Sequence, residues 1–96
     1  MREKQSIIDT IVQIEDDLRT MGVSNLWMFG SAAREEPDVN DVDFLVDFDA
    51  RPTLTGFMNL KFFLEEKLGI PVDLHTKTSC PERFLRRIQS DLLHVA

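Results

Sequence analysis

From Asp41 to Asp49 the chain reads Asp-Val-Asp-Phe-Leu-Val-Asp-Phe-Asp, an alternation that suits an extended strand and little else. Successive side chains of a strand leave opposite faces, so Val42, Phe44, Val46 and Phe48 share one face. Asp41, Asp43, Leu45, Asp47 and Asp49 share the other. One face must therefore meet a core, and the other carries carboxylates two positions apart. Unpaired like charges at that spacing repel and raise one pKa, so the Asp41–Asp43 pair calls for a cation. Magnesium suits such a pair, because it prefers carboxylate oxygens and is commonly shared with substrate phosphates. A solvated acidic strand face is the simpler alternative. A calcium EF-hand loop does not fit, since the required glycine and terminal glutamate are missing.

Upstream, Leu26 to Phe29 is a short apolar run bounded by Asn25 and Gly30, which predicts a buried strand. Ser31-Ala32-Ala33-Arg34-Glu35 then reads as a helical turn that begins at Gly30-Ser31. A helix start presents unpaired N–H groups, glycine admits a phosphate close to the backbone, and serine adds a donor. The same dipeptide is also ordinary turn and capping chemistry, so both readings stand at this point. A third carboxylate, Asp73, lies in the strand candidate Ile70 to His75, on the face opposite Val72 and Leu74. On a strand beside Asp41 and Asp43 it would complete a two-metal arrangement, with ions roughly 3.5–4 Å apart. A strand-end carboxylate capping the next turn is the alternative for Asp73 alone.

The remaining chain supplies a frame. Ile7, Ile11, Ile14 and Leu18, widened by Ile8 and Val12, predict an amphipathic helix from about 6 to 20, with Ser6 as N-cap and Gly22 as stop. Residues 50–55 read as a connector. Phe57, Leu60, Leu64 and Leu68, helped by Phe63, mark a second helix that Gly69 closes. Pro81 opens a last helix that carries Phe84, Leu85, Ile88 and Leu92 inward. The order αβ(turn)βαβα predicts an α/β fold, a small mixed β-sheet with helices packed on it. At 96 residues, positions 1–96 are expected to form a single domain.

Charge narrows the partners. Residues 35–49 hold seven acidic and no basic residues, while the whole chain carries −6. Such a surface disfavours strong direct nucleic-acid binding, which draws most of its affinity from phosphate attraction. Every apolar run is interrupted by charge well short of a membrane span, and no signal-peptide core follows the polar N-terminus. One cysteine, Cys80, allows no internal disulfide, and a reducing cytoplasm is the expected location. Lys77, Arg83, Arg86 and Arg87 form a basic group whose default reading is a solvated helix face.

Phe29-Gly30-Ser31, the Asp41-Val42-Asp43-Phe44-Leu45-Val46 run and Val72-Asp73-Leu74 together resemble the signature of the polymerase-beta-type nucleotidyltransferase superfamily. More narrowly, the chain is similar to the minimal nucleotidyltransferases, antitoxin halves of gene pairs whose toxin is a HEPN-domain ribonuclease. The resemblance implies a nucleotidyltransferase-like fold, binding of Mg-ATP, and transfer of AMP to a hydroxyl of the toxin, typically a tyrosine, within a hetero-oligomer. By position it implies that Gly30 and Ser31 contact the triphosphate and that Arg34 reaches a phosphate. Arg34 could equally pair with Glu35, Glu36 or Asp38. Asp41 and Asp43 would hold both metals, and Asp73 would hold the catalytic one and help deprotonate the incoming hydroxyl. Two positions depart from the pattern: Glu35 replaces a glycine common after the Arg, and His75 stands where an apolar residue is usual.

The residues favour an acceptor on a partner independently, since 96 residues leave no second domain to grip one. Phosphoryl chemistry is mostly positioning and charge neutralisation, which a small site can supply. Two other functions fit the same sequence. One is a non-catalytic module that neutralises a basic partner by occlusion with its acidic stretch. The other is a transferase acting on a small molecule or nucleic acid.

Overall fold

The fold is described from a computed structural model, over residues 4–37 and 40–96. Its frame is a four-stranded sheet in the order β3-β2-β1-β4. The strands are β1 (Val23–Phe29), β2 (Val42–Phe48), β3 (Val72–Thr76) and β4 (Leu93–His94). Strand β1 is antiparallel to both β2 and β4, whereas β2 and β3 run parallel. Parallel neighbours need a crossover, and helix α4 (Leu54–Leu68) provides it. Ahead of the sheet come α1 (Lys4–Gln13) and α2 (Glu15–Thr20); α3 (Gly30–Ala33) is one turn after β1, and α5 (Glu82–Ile88) follows β3.

The β2 alternation sorts the two faces as its parity requires. Val42, Phe44 and Val46 are fully buried in the main core with Ile7, Ile11, Leu18, Leu60 and Leu64. The opposite face carries Leu45, covered by a smaller cluster of Phe29 and Ile88 with Phe84, Leu85 and Leu92 around it. Asp43 lies on that second face, where coverage is partial.

The first helix is not one uninterrupted element. Ile14 shares its N–H between the Thr10 and Ile11 carbonyls, both at 3.2 Å, and so tightens the helix locally between α1 and α2. Leu18 N–H still reaches the Ile14 carbonyl at 3.0 Å, so the apolar stripe stays aligned and Ile7, Ile11, Ile14 and Leu18 all reach the core. Ser6 is not the cap: it lies inside α1, where its carbonyl accepts the Thr10 hydroxyl at 2.9 Å. Val12 does not widen the stripe either, since it is 59% exposed on the far side of the helix.

Helix α4 ends at Gly69 as expected but starts earlier, inside the 50–55 stretch read as a connector. The Thr53 hydroxyl accepts the Gly56 N–H at 3.0 Å, which starts the helix at Leu54. Gly69 ends it in the left-handed region, φ 73°, donating to the Glu65 carbonyl at 2.8 Å.

Two strand features differ from expectation. Strand β1 begins at Val23, ahead of the apolar run, because an irregularity between Val23 and Asn25 lets the polar Ser24 into the sheet edge. Arg19 secures it by donating to the Val23 and Ser24 carbonyls at 2.9 and 2.8 Å. The last helix stops at Ile88, so Leu92 packs from a following turn, and Leu93–His94 pair with Met28 and Trp27. Leu26 completes that edge, exchanging backbone hydrogen bonds with Ala96. Two residues without alternation carry no strand signal, so only the open edge of β1 selects them.

Candidate active site

The site forms where the C-terminal end of β1 meets the first residues of β2 and β3. Antiparallel pairing sets Phe29 opposite Asp43, and parallel pairing sets Asp73 beside Asp43. Gly30 follows directly, with φ at 75°, a region costly for any residue with a Cβ. A Cβ there would collide with the Asp43 carboxylate, lying 3.1 Å from Cγ even before its oxygen is considered. Glycine is thus required twice, by the turn and by the carboxylate packed against it.

From Gly30 the chain winds into α3 and closes with a Schellman-type end. Glu35 N–H reaches the Ala32 carbonyl at 3.2 Å and Glu36 N–H the Ser31 carbonyl at 3.0 Å. Glu35 itself takes the left-handed conformation, φ 58°. This is the position at which the sequence lacks the expected glycine, and the backbone keeps the glycine-like shape regardless.

Oxygens of Asp43 and Asp73 and a ring nitrogen of His75 all lie within 4.8 Å of one another. Asp43 is half-buried, while the Asp73 side chain, on the edge strand, is 59% exposed. Burial, followed by the charges of Asp41 and Asp73, pushes the Asp43 carboxyl up to about 6, with His75 opposing in part. Asp41 is exposed just ahead of β2, and its charge acts on Asp43, but its carboxylate is outside the tight group of three. The three aspartates therefore share one corner of the sheet without all touching one another. Two carboxylates from neighbouring strands with a third close by fit a divalent cation, which would relieve the crowding that raises Asp43.

Ser31 lies in the first turn of α3, directly after Gly30. Arg34 ends that turn, exposed, and donates to Glu36 at 2.6 Å and to Asp91 at 2.7 Å. These two hydrogen bonds raise its pKa. Of the acidic partners the sequence offers nearby, Glu36 takes Arg34, Asp91 joins it from a distant turn, and Asp38 lies outside the described residues.

His75 is the site neighbour to which sequence reasoning gave no role. Its Nε2 stands 3.2 Å from Asp73 Oδ2, and its ring packs against Phe29 and Phe84 at 5.8 and 5.5 Å. The signal was present, since a residue two after Asp73 on a strand must share its face.

On that face a groove of about 320 Å³ continues between Trp27, Leu45 and α5, with Lys77 5.2 Å above the Trp27 ring. Arg86 pairs with Glu82 at 3.0 Å and Arg87 lies over Phe84, so the basic group divides between the groove rim and solvent. A larger cavity of about 570 Å³, lined in part by Asp47 and Asp49, opens near the other ends of β2 and β3, away from Asp43 and Asp73. Burial raises the Cys80 pKa, which makes it a poor nucleophile.

The profile of the nucleotidyltransferase domain family matches residues 11–93, a span that includes Gly30, Ser31 and all three aspartates. The chain belongs to this family. It is 37% identical over 75 residues to the protein adenylyltransferase MntA of Thermococcus cleftensis, covering 77% of this chain and 76% of the relative. It is 34% identical over 96 residues to a chain assigned as a protein adenylyltransferase in Methanocaldococcus jannaschii, covering 90% and 98%. The nucleotidyltransferase fold is shared with a solved structure assigned as a minimal nucleotidyltransferase, at TM-score 0.82 and 25% identity, covering 96% and 95%. It also matches one chain of a solved structure of a tri-AMPylated Shewanella oneidensis HEPN toxin in complex with MNT antitoxin, at TM-score 0.71 and 18% identity, covering 97% and 71%. A toxin–antitoxin structure with AMP-PNP matches at TM-score 0.75 and 18% identity, covering 93% and 72%. Among the described residues no helix is long and apolar enough to cross a membrane.

Proposed function

We propose that this nucleotidyltransferase transfers AMP from ATP to a hydroxyl, specifically a tyrosine, of a HEPN-domain toxin, and thereby acts as its antitoxin. The observation that carries the reading is the Gly30 turn packed against Asp43, with Asp73 beside it, in a chain of the nucleotidyltransferase family. The family relatives that act on proteins and the folds solved with a HEPN toxin support the choice of acceptor. In this reading residues 1–96 act as one domain, in the cytoplasm, within a hetero-oligomer.

Gly30 and Ser31 offer backbone N–H groups and a hydroxyl to the triphosphate. Arg34 joins them by exchanging an exposed acidic partner for a phosphate, which costs little at a solvated pair. Asp41, Asp43 and Asp73 would hold Mg²⁺ in a two-metal site. Bound there, the magnesium ions supply charge neutralisation at the phosphates and at the attacking oxygen. Asp73, the most exposed of the tight group, faces the acceptor and takes part in removing its proton. The acceptor oxygen bonds to the α-phosphorus, the bond to the β-phosphate oxygen breaks, and pyrophosphate leaves with the electron pair.

The test mixes the chain with Mg²⁺, α-labelled ATP and the HEPN protein encoded beside it. Label should appear on a toxin tyrosine with wild type and not with Asp41→Asn or Asp43→Asn. No transfer by wild type would overturn the proposal. If the Asn variants still protect cells from the toxin at equal expression, the acidic stretch acts by occlusion instead. Label on a small molecule or nucleic acid with no protein present would support the third reading.

A further inference from the structure

The third member of the tight group is a nitrogen donor, and its geometry fits a metal ligand. We infer that His75 binds directly the divalent ion held by Asp43 and Asp73, and that the site of this chain therefore prefers Mn²⁺ to Mg²⁺. The inference rests on the metal-binding reading above and goes beyond it in naming the ion class and the additional ligand.

Donors at adjacent corners of an octahedron of about 2.1 Å radius lie roughly 3.0 Å apart, and donors at opposite corners roughly 4.2 Å. His75 Nε2 and Asp73 Oδ2 are separated by 3.2 Å, an adjacent-corner spacing. With Asp43 the set spans no more than 4.8 Å, so only a small contraction is needed around one ion. The backbone places these donors: Asp73 and His75 are two apart on β3, and Asp43 is the Cα partner of Asp73 on β2. The Phe29 and Phe84 rings pack around the imidazole and limit its rotation away from the carboxylates.

Donor chemistry sets the consequence. Magnesium takes oxygen ligands and keeps its waters, whereas imidazole nitrogen favours first-row transition ions. A simple Asp73–His75 ion pair would instead orient the carboxylate and leave metal preference unchanged.

Pulsed EPR on protein carrying ¹⁵N-labelled histidine distinguishes the two. Mn²⁺ is added alone and then with an unlabelled, non-hydrolysable ATP analogue. A ¹⁵N coupling should appear in wild type and vanish in His75→Leu and in His75→Gln. The other histidine, His94, lies on β4 and bonds Asn25, so it stays unchanged as an internal control. Either substitution should weaken Mn²⁺ binding roughly ten-fold or more and alter Mg²⁺ binding less than about two-fold. Wild-type protein that binds Mn²⁺ without ¹⁵N coupling overturns the inference and leaves the metal site standing. Failure to bind any divalent ion overturns both. A coupling seen in protein that transfers no AMP upholds His75 as a ligand and sinks only the adenylyltransferase reading.

Discussion

Replacing Asp43 by Asn should make the protein more stable while removing its activity. Burial and the Asp41 and Asp73 charges move its pKa from 3.8 to about 6. At about 1.4 kcal/mol per pH unit, the ionised form costs the folded state at most about 3 kcal/mol. The group is half-exposed and solvent screens it, so roughly 1–2 kcal/mol is the working value. The sign follows from linkage: a carboxyl raised in the folded state adds stability below its unfolded pKa and loses it as pH rises through about 6. Asparagine keeps the shape and never ionises. Urea unfolding in chelator at about pH 8 should therefore favour Asp43→Asn by roughly 1–2 kcal/mol, equivalent to about 5–10 °C in Tm. Near pH 4 the advantage should largely disappear. Added divalent ions should stabilise wild type and leave the variant unchanged. A variant no more stable than wild type at the higher pH, or equally improved at both, would refute this account of the carboxylate corner.

Two other substitutions probe the turn that carries Gly30 and Ser31. Gly30→Ala should destabilise by about 2 kcal/mol or more, because it adds a left-handed penalty to a collision with the Asp43 carboxylate. Thermal unfolding and label transfer would both register the loss, and an unchanged Tm would contradict the packing. Glu35→Gly should move the other way, since φ 58° is unfavourable for Glu. Glycine's greater freedom in the unfolded chain offsets part of the gain, leaving about 0.5–1 kcal/mol, which calorimetry would read as a Tm rise of a few degrees.

Much of the site was legible because its residues lie on strands, where parity alone fixes the face. Asp43 and Leu45 had to share a side once Val42 and Phe44 were committed to the core. Glycine at 30 could also be anticipated, whereas the left-handed turn at Glu35 could not, because a glutamate carries no local signal for positive φ. Short-range signals failed where a partner made the decision. Ser6 looks like a cap and lies inside a helix. Val12 looks apolar enough for the core and faces out. Leu93 and His94 form a strand only because β1 offers them an edge.

The amino-acid order by itself determined the periodicities, the two-sided character of β2 and the set of residues able to carry charge at its start. It could not determine which strands lie side by side, since pairing is set by long-range burial and edge hydrogen bonds. That packing alone put Asp73 beside Asp43, kept Asp41 at the rim, turned Arg34 toward Asp91 and brought His75 into the carboxylate group. Distances between donors from different strands come from register, and register is a property of the assembled sheet.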